Sequence, residues 1–207
     1  LMDKINKKDQ LKYYKFLNLL PKKINKLYFG KLKGKFKLIN KSKKRNDFDP
    51  VTNIDKAFEL FLRKEISKKF PNDGIIGEEF KIKKSKNGFT WVIDPIDGTR
   101  SFIIGSPTWS NLISVNYKGV PTFGLANFPM LKKYFITGIN KKSYLMENNK
   151  AKILKVSQSS SLKKSKILVI WSTVNIAVTF IFIPSLVRLL ITFDVELPLV
   201  LLIGIFT

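Results

Sequence analysis

The chain has no cysteine and no histidine. The first absence excludes a disulfide framework and thiolate chemistry. The second removes the commonest general base and the commonest zinc ligand. Acids are scarce as well: 15 Asp and Glu stand against 38 Lys and Arg, for a formal net charge of +23. Any catalysis must therefore run on carboxylates, hydroxyls, lysines and bound metal. Ten of the fifteen acids fall between Asp47 and Asp97, and none occurs from Gly98 to Met146. In so basic a chain, that concentration marks a task, while Glu59 and Glu65 read as solvating a helix face.

A large positive charge invites a nucleic-acid partner. Here the excess is diffuse, with 16 Lys and Arg in residues 1–46 and more Lys scattered through 81–166. No helix-turn-helix, zinc-finger or aromatic RNP pattern accompanies it. Lys, Ile, Asn and Phe are abundant together, as AT-rich coding DNA produces, and no nucleic-acid partner is expected. The charge can still attract anionic phosphate esters.

A length of 207 residues allows one large domain, or a domain with an appendage. Residues 1–28 read as a basic helix with apolar positions at Leu11, Phe16, Leu17, Leu19 and Leu20. No long apolar run follows the basic start, so no secretory signal is expected, and Leu1-Met2 reads as a non-standard start or a fragment. Ile54, Phe58, Phe61, Leu62 and Ile66 predict a helix from Thr52 to Phe70, ended by Pro71. Thr52 and Asp55 have the spacing of an N-terminal cap pair. Strands are predicted at 89–94, 110–117, 120–127 and 133–138, with Lys118-Gly119 as a hairpin turn and a short helix opening at 99–105. This pattern is α+β, with acidic loops at one edge of a sheet.

The sharpest feature is Trp91-Val92-Ile93-Asp94-Pro95-Ile96-Asp97-Gly98-Thr99. Two carboxylates stand three residues apart at the end of an apolar run. Pro95 has no N–H for a ladder, so the strand is expected to stop and both acids to project from one loop. Clustered carboxylates repel unless a cation lies between them, and hard oxygen ligands without Cys or His favour Mg²⁺. Taken alone, Asp94 and Asp97 are equally well ordinary turn residues. Upstream stand Gly77-Glu78-Glu79 and Asp49-Pro50-Val51-Thr52-Asn53-Ile54-Asp55.

These three motifs, in this order, resemble the inositol monophosphatase family of Mg²⁺-dependent phosphatases, from about residue 24 to about 166. The resemblance implies the layered αβαβα sugar-phosphatase-type fold, here its first layer only. It implies that Glu78, Asp94 and the Ile96 carbonyl hold one Mg²⁺ and that Asp94 and Asp97 share a second. Thr99 and Glu78 would orient the attacking water, the Gly98 and Thr99 amides would bind phosphate, and Asp55 would reach a further metal or its water. Glu79 would orient Glu78 or form an ion pair, and Lys44 would contact the acidic site. The substrate would be a small phosphomonoester and the location cytoplasmic; a homodimer is expected by resemblance. Gly74-Ile75-Ile76-Gly77-Glu78-Glu79-Phe80 and Asp97-Gly98-Thr99-Arg100-Ser101-Phe102-Ile103, with Gly105, Pro107 and Trp109, look most like the histidinol-phosphate phosphatases of histidine biosynthesis within this family. Ser110-Asn111 departs from the Gly-Thr often found there. Inositol monophosphatase is the alternative, with other sugar phosphates beside it.

Composition changes near residue 167. From Ile167 to Val187 no residue is charged, a length that meets the threshold for a membrane-spanning helix. The expected division is a phosphatase domain over 1–166 and an apolar tail over 167–207. By resemblance this region should supply another metal-binding Asp, and Phe193-Asp194-Val195 only faintly resembles its setting. The tail therefore reads as a frameshifted or truncated second layer. An inactive remnant, membrane-associated through 167–191, is the competing expectation.

Overall fold

The computed structural model describes residues 5–35, 37–40, 50–139, 141–156, 178–183 and 186–191. It divides into two compact units, Leu1–Ile153 and Leu154–Thr207.

In the first unit, α1 (Lys7–Leu27) begins at Asn6, whose side chain accepts from the Asp9 N–H at 2.8 Å. Tyr13, Phe16, Leu17, Leu20 and Ile24 recur at helical spacing and are buried. Leu11 and Leu19, expected in the same stripe, are exposed because they lie off it. A π-helical turn, Tyr28–Leu32, closes the helix. Strands β1 (Leu38–Asn40) and β2 (Pro50–Thr52) then pair antiparallel. Helix α2 (Asn53–Lys69) starts on the predicted cap: the Thr52 hydroxyl accepts from the Ile54 N–H at 3.1 Å, and Asp55 Oδ2 accepts from the Thr52 N–H at 2.8 Å. Ile54, Phe58, Leu62 and Ile66, each four residues on, are fully buried.

A seven-stranded sheet follows: β3 (Gly74–Gly77), β4 (Phe89–Asp97), β5 (Ser110–Tyr117), β6 (Val120–Phe128), β7 (Lys133–Thr137), β8 (Ser143–Glu147) and β9 (Lys150–Ile153). Spatial order equals chain order. All neighbours are antiparallel except β3 and β4, which run parallel. The predicted turn Lys118-Gly119 joins β5 to β6, with both residues at positive φ. A short helix, α3 (Thr99–Ile103), links β4 to β5. Helix α2 packs on β4, and α1 on β6 and β7. Trp91, Ile93, Ile113, Val115, Phe123, Leu125 and Ile136 form the inner face of the sheet. At the far end of that core, buried Asp73 accepts from Tyr13 Oη (3.0 Å), Trp91 Nε1 (2.8 Å) and Asn87 Nδ2 (2.7 Å). Three donors offset the desolvation of this carboxylate.

In the second unit, β10 (Val178–Ile183) and β11 (Leu186–Ile191) form an antiparallel hairpin. Among the described residues no helix is long and apolar enough to cross a membrane. The described part of the apolar stretch 167–191 is thus strand, which corrects the helical reading there. β-Branched and aromatic residues such as Val178, Thr179, Phe180, Ile181 and Ile183 favour that outcome. The expected 166/167 boundary, Lys44, Asp49 and Asp194 lie outside the described residues.

Candidate metal and phosphate site

On a regular strand, two side chains three residues apart point to opposite faces. A bulge in β4 changes that. Asp94 pairs with Leu112 and Asp97 with Ser110, so three steps along β4 span two along β5. The extra residue restores parity, and Asp94 and Asp97 come to the same face of the sheet. The expectation that the strand ends at Asp94 is therefore corrected: β4 runs through Pro95 to Asp97. The bulge accommodates a residue with no N–H to give. Its carbonyl is held from within, since Asn111 Nδ2 donates to the Pro95 oxygen at 2.6 Å. Asn127 Nδ2 in turn donates to Asn111 Oδ1 at 2.9 Å and to Asn25 Oδ1 at 3.0 Å.

The other acids arrive from neighbouring elements. The parallel register sets Gly77 against Ile93, so the next residue, Glu78, leaves the strand beside Asp94. Asp55 occupies the first turn of α2, where its Oδ2 also accepts from the Thr52 hydroxyl at 2.6 Å. Asp55 is therefore a cap in fact, yet its charge still reaches the site. The Asp94 carboxyl is pushed up to about 8 by burial first, then by the negative charges of Asp97, Glu78 and Asp55, with the Ile96 N–H pulling the other way. Asp94 Oδ1 is buried and has no hydrogen-bond partner. Burial raises Asp97 as well, opposed by the Ser110 hydroxyl, which donates to its Oδ2 at 3.1 Å.

Gly98 sits at φ 80°, ψ 46° and caps α3. That left-handed conformation favours glycine. The Thr99 hydroxyl donates to the Ile96 carbonyl at 3.1 Å, so two of the expected site residues are bonded to each other.

The structure thus brings Asp97, Glu78 and Asp55 within electrostatic reach of Asp94. Among the described residues, no three acidic side chains form a group able to enclose a metal ion. This is compatible with Mg²⁺, which binds through one or two carboxylates and keeps several waters. The donor chemistry fits such a cation. Every candidate ligand is oxygen, one buried carboxylate oxygen lacks a partner, and Asp94 is strained by neighbouring negative charge. The sequence reading missed Ser110, whose hydroxyl holds Asp97, and Asn111, which secures the bulge. Only the register of β5 against β4 discloses their work.

Residues 9–189 match the model of the inositol monophosphatase family, and the chain belongs to that family. The match runs past the change in composition near residue 167. The chain is 46% identical over 91 residues to the histidinol-phosphatase of Chlorobaculum parvum, covering 44% of this chain and 35% of that protein. It is 34% identical over 125 residues to inositol monophosphatase 1 of Solanum lycopersicum, covering 58% of this chain and 44% of that one. It thus spans less than half the length of these curated relatives. The solved structure of a Thermotoga maritima IMPase superimposes with a TM-score of 0.56 at 28% identity, over 70% of this chain and 54% of that one. An inositol monophosphatase–fructose 1,6-bisphosphatase gives a TM-score of 0.55 at 28% identity, over 71% and 56% of the two chains. These likenesses bear out the layered α+β reading.

Proposed function

We propose that the protein hydrolyses a small phosphomonoester with Mg²⁺, and that histidinol phosphate is its substrate. The observation that carries the reaction class is the β4 bulge, which turns Asp94 and Asp97 to one face beside Glu78. The substrate reading is supported by the 46% identity to the Chlorobaculum parvum histidinol-phosphatase, against 34% to inositol monophosphatase 1 of Solanum lycopersicum.

In this reading Glu78, Asp94 and the Ile96 carbonyl hold one Mg²⁺, and Asp94 with Asp97 holds a second. Bound Mg²⁺ would lower the pKa of a ligated water and offset charge on the phosphoryl and leaving oxygens. Glu78 and the Thr99 hydroxyl orient the attacking water. Thr99 is suited to this because its bond to the Ile96 carbonyl fixes the direction of its remaining lone pairs. The Gly98 and Thr99 amides, at the start of a turn with no Cβ at its first residue, cradle the phosphate. Asp97 stays aimed by Ser110, and Asp55 reaches a further metal or its water while closing the cap of α2.

Phosphate release from histidinol phosphate and from inositol 1-phosphate, with and without Mg²⁺, tests this reading. Mg²⁺-dependent release that favours histidinol phosphate and vanishes in Asp94→Asn is expected. Turnover that survives the substitution or complete chelation would refute the site. A preference for inositol 1-phosphate would keep the site and replace the substrate.

A further inference from the structure

We propose that Glu59 and Arg63 of α2 are positioning residues that hold the Gly77–Phe80 turn and so set Glu78 beside Asp94. This rests on the phosphatase reading above, and it concerns residues that reading does not use. Glu59 was expected to solvate the helix surface. It is instead fully buried (0% exposed), one turn after Asp55. A buried carboxylate is unfavourable unless it is paired and hydrogen-bonded, and both of its oxygens are engaged. Oε1 accepts from Arg63 Nε at 2.7 Å, an i,i+4 ion pair. Oε2 accepts from the backbone N–H of Glu79 at 2.7 Å.

Arg63 completes the clamp from the other side. Its Nη2 donates to the Phe80 carbonyl at 3.1 Å, and its guanidinium lies 5.8 Å from the Phe80 ring centroid. The turn after β3 is therefore gripped at Glu79 and Phe80, the two residues that follow Glu78. Gly77 makes the grip possible. A Cβ there would lie 2.1 Å from Glu59 Oε1 and 2.3 Å from its Cδ. No side chain fits between this backbone and the Glu59 carboxylate. The glycine of Gly-Glu-Glu thus serves the approach of Glu59 and not a special φ. A turn anchored this way holds Glu78 in register with Asp94, where a ladder alone would end at Gly77.

The test uses the full chain and Mn²⁺ as the probe, with binding followed by titration calorimetry and the Glu79 amide followed by hydrogen exchange. Wild type is compared with Glu59→Gln, Gly77→Ala, Asp94→Asn and, as a structural control, Tyr13→Phe, which weakens the Asp73 network at the far end of the core. Loss of Mn²⁺ binding is expected for Asp94→Asn. A roughly 10- to 100-fold weaker affinity is expected for Glu59→Gln and Gly77→Ala. Both should exchange the Glu79 amide faster than wild type. Tyr13→Phe should lower stability and leave Mn²⁺ affinity unchanged. Folded Glu59→Gln and Gly77→Ala proteins that bind Mn²⁺ as wild type does would overturn the positioning role. If wild type and Asp94→Asn bind alike, the metal site itself is refuted. Unchanged Glu79 exchange would overturn the clamp whatever the metal does.

Discussion

Asp94 concentrates the chemistry of the chain in one side chain. It is a carboxyl held among three other acids, with one oxygen buried and unmatched. Its pKa moves from 3.8 to about 8 on folding, so between those values the folded, metal-free protein carries a proton that the unfolded chain has lost. The folded state then binds more protons, and stability must fall as pH rises. The Asp94 contribution is complete below about pH 4, where both states are protonated, and is lost progressively as pH approaches 8. Urea denaturation of chelator-treated protein across that window should show the midpoint dropping with pH, with the drop much reduced in Asp94→Asn. A midpoint that rises would contradict it. Under the proposed function, Mg²⁺ bound at Asp94 would have to displace the proton, so its affinity should increase through the window. The gathering of Asp97, Glu78 and Asp55 near Asp94 was legible from motif order. Glu59 was not, because a glutamate among lysines on a helix looks like any solvated one. The informative signals were Arg63 four residues on and the glycine at position 77, and both gain meaning only once β3 lies against α2.

Among the elements, α2 was read closely and β4 was not. The helix announces itself through apolar residues at every fourth position and a cap at Thr52, all local properties. Thr52→Ala should cost about 0.5–2 kcal/mol, because it frees the Ile54 N–H and removes one donor from Asp55. Thermal unfolding measures this, with Thr52→Ser as the variant that should recover most of the loss. No change in Tm would show that the cap contributes nothing. In β4 a proline is a sound reason to expect a strand to end. The sequence alone does not reveal that β5 supplies Asn111 to bind the Pro95 carbonyl, which lets the strand continue through a bulge. That error touched the mechanism too. Both acids were expected on a loop, whereas the sheet orients them, and a sheet defines direction better than a loop.

For the whole molecule, the formal charge of +23 is a field and not a site. It should draw anionic esters toward the protein and be screened by salt, since the Debye length is about 10 Å at 0.1 M and about 3 Å at 1 M. Raising NaCl across that range should raise KM for a phosphomonoester more than it lowers kcat; a flat KM would mean that the field plays no part in capture. Strands β8 and β9 escaped the sequence reading, while β4 to β7 were legible from apolar runs separated by turn residues. The parallel partner β3 was not, since four residues of Gly and Ile carry little pattern and their partner lies across the intervening loop 78–88. That one parallel junction also makes the site depend on two separate closures. The loop 78–88 before β4 and the connection 98–109 after it are of similar length, so neither pairing closes at much lower entropic cost. Asp97 turns to its face only when β5 is paired, and Glu78 arrives only when β3 is. A cation held by all three would therefore report on the completed sheet and not on either half of it.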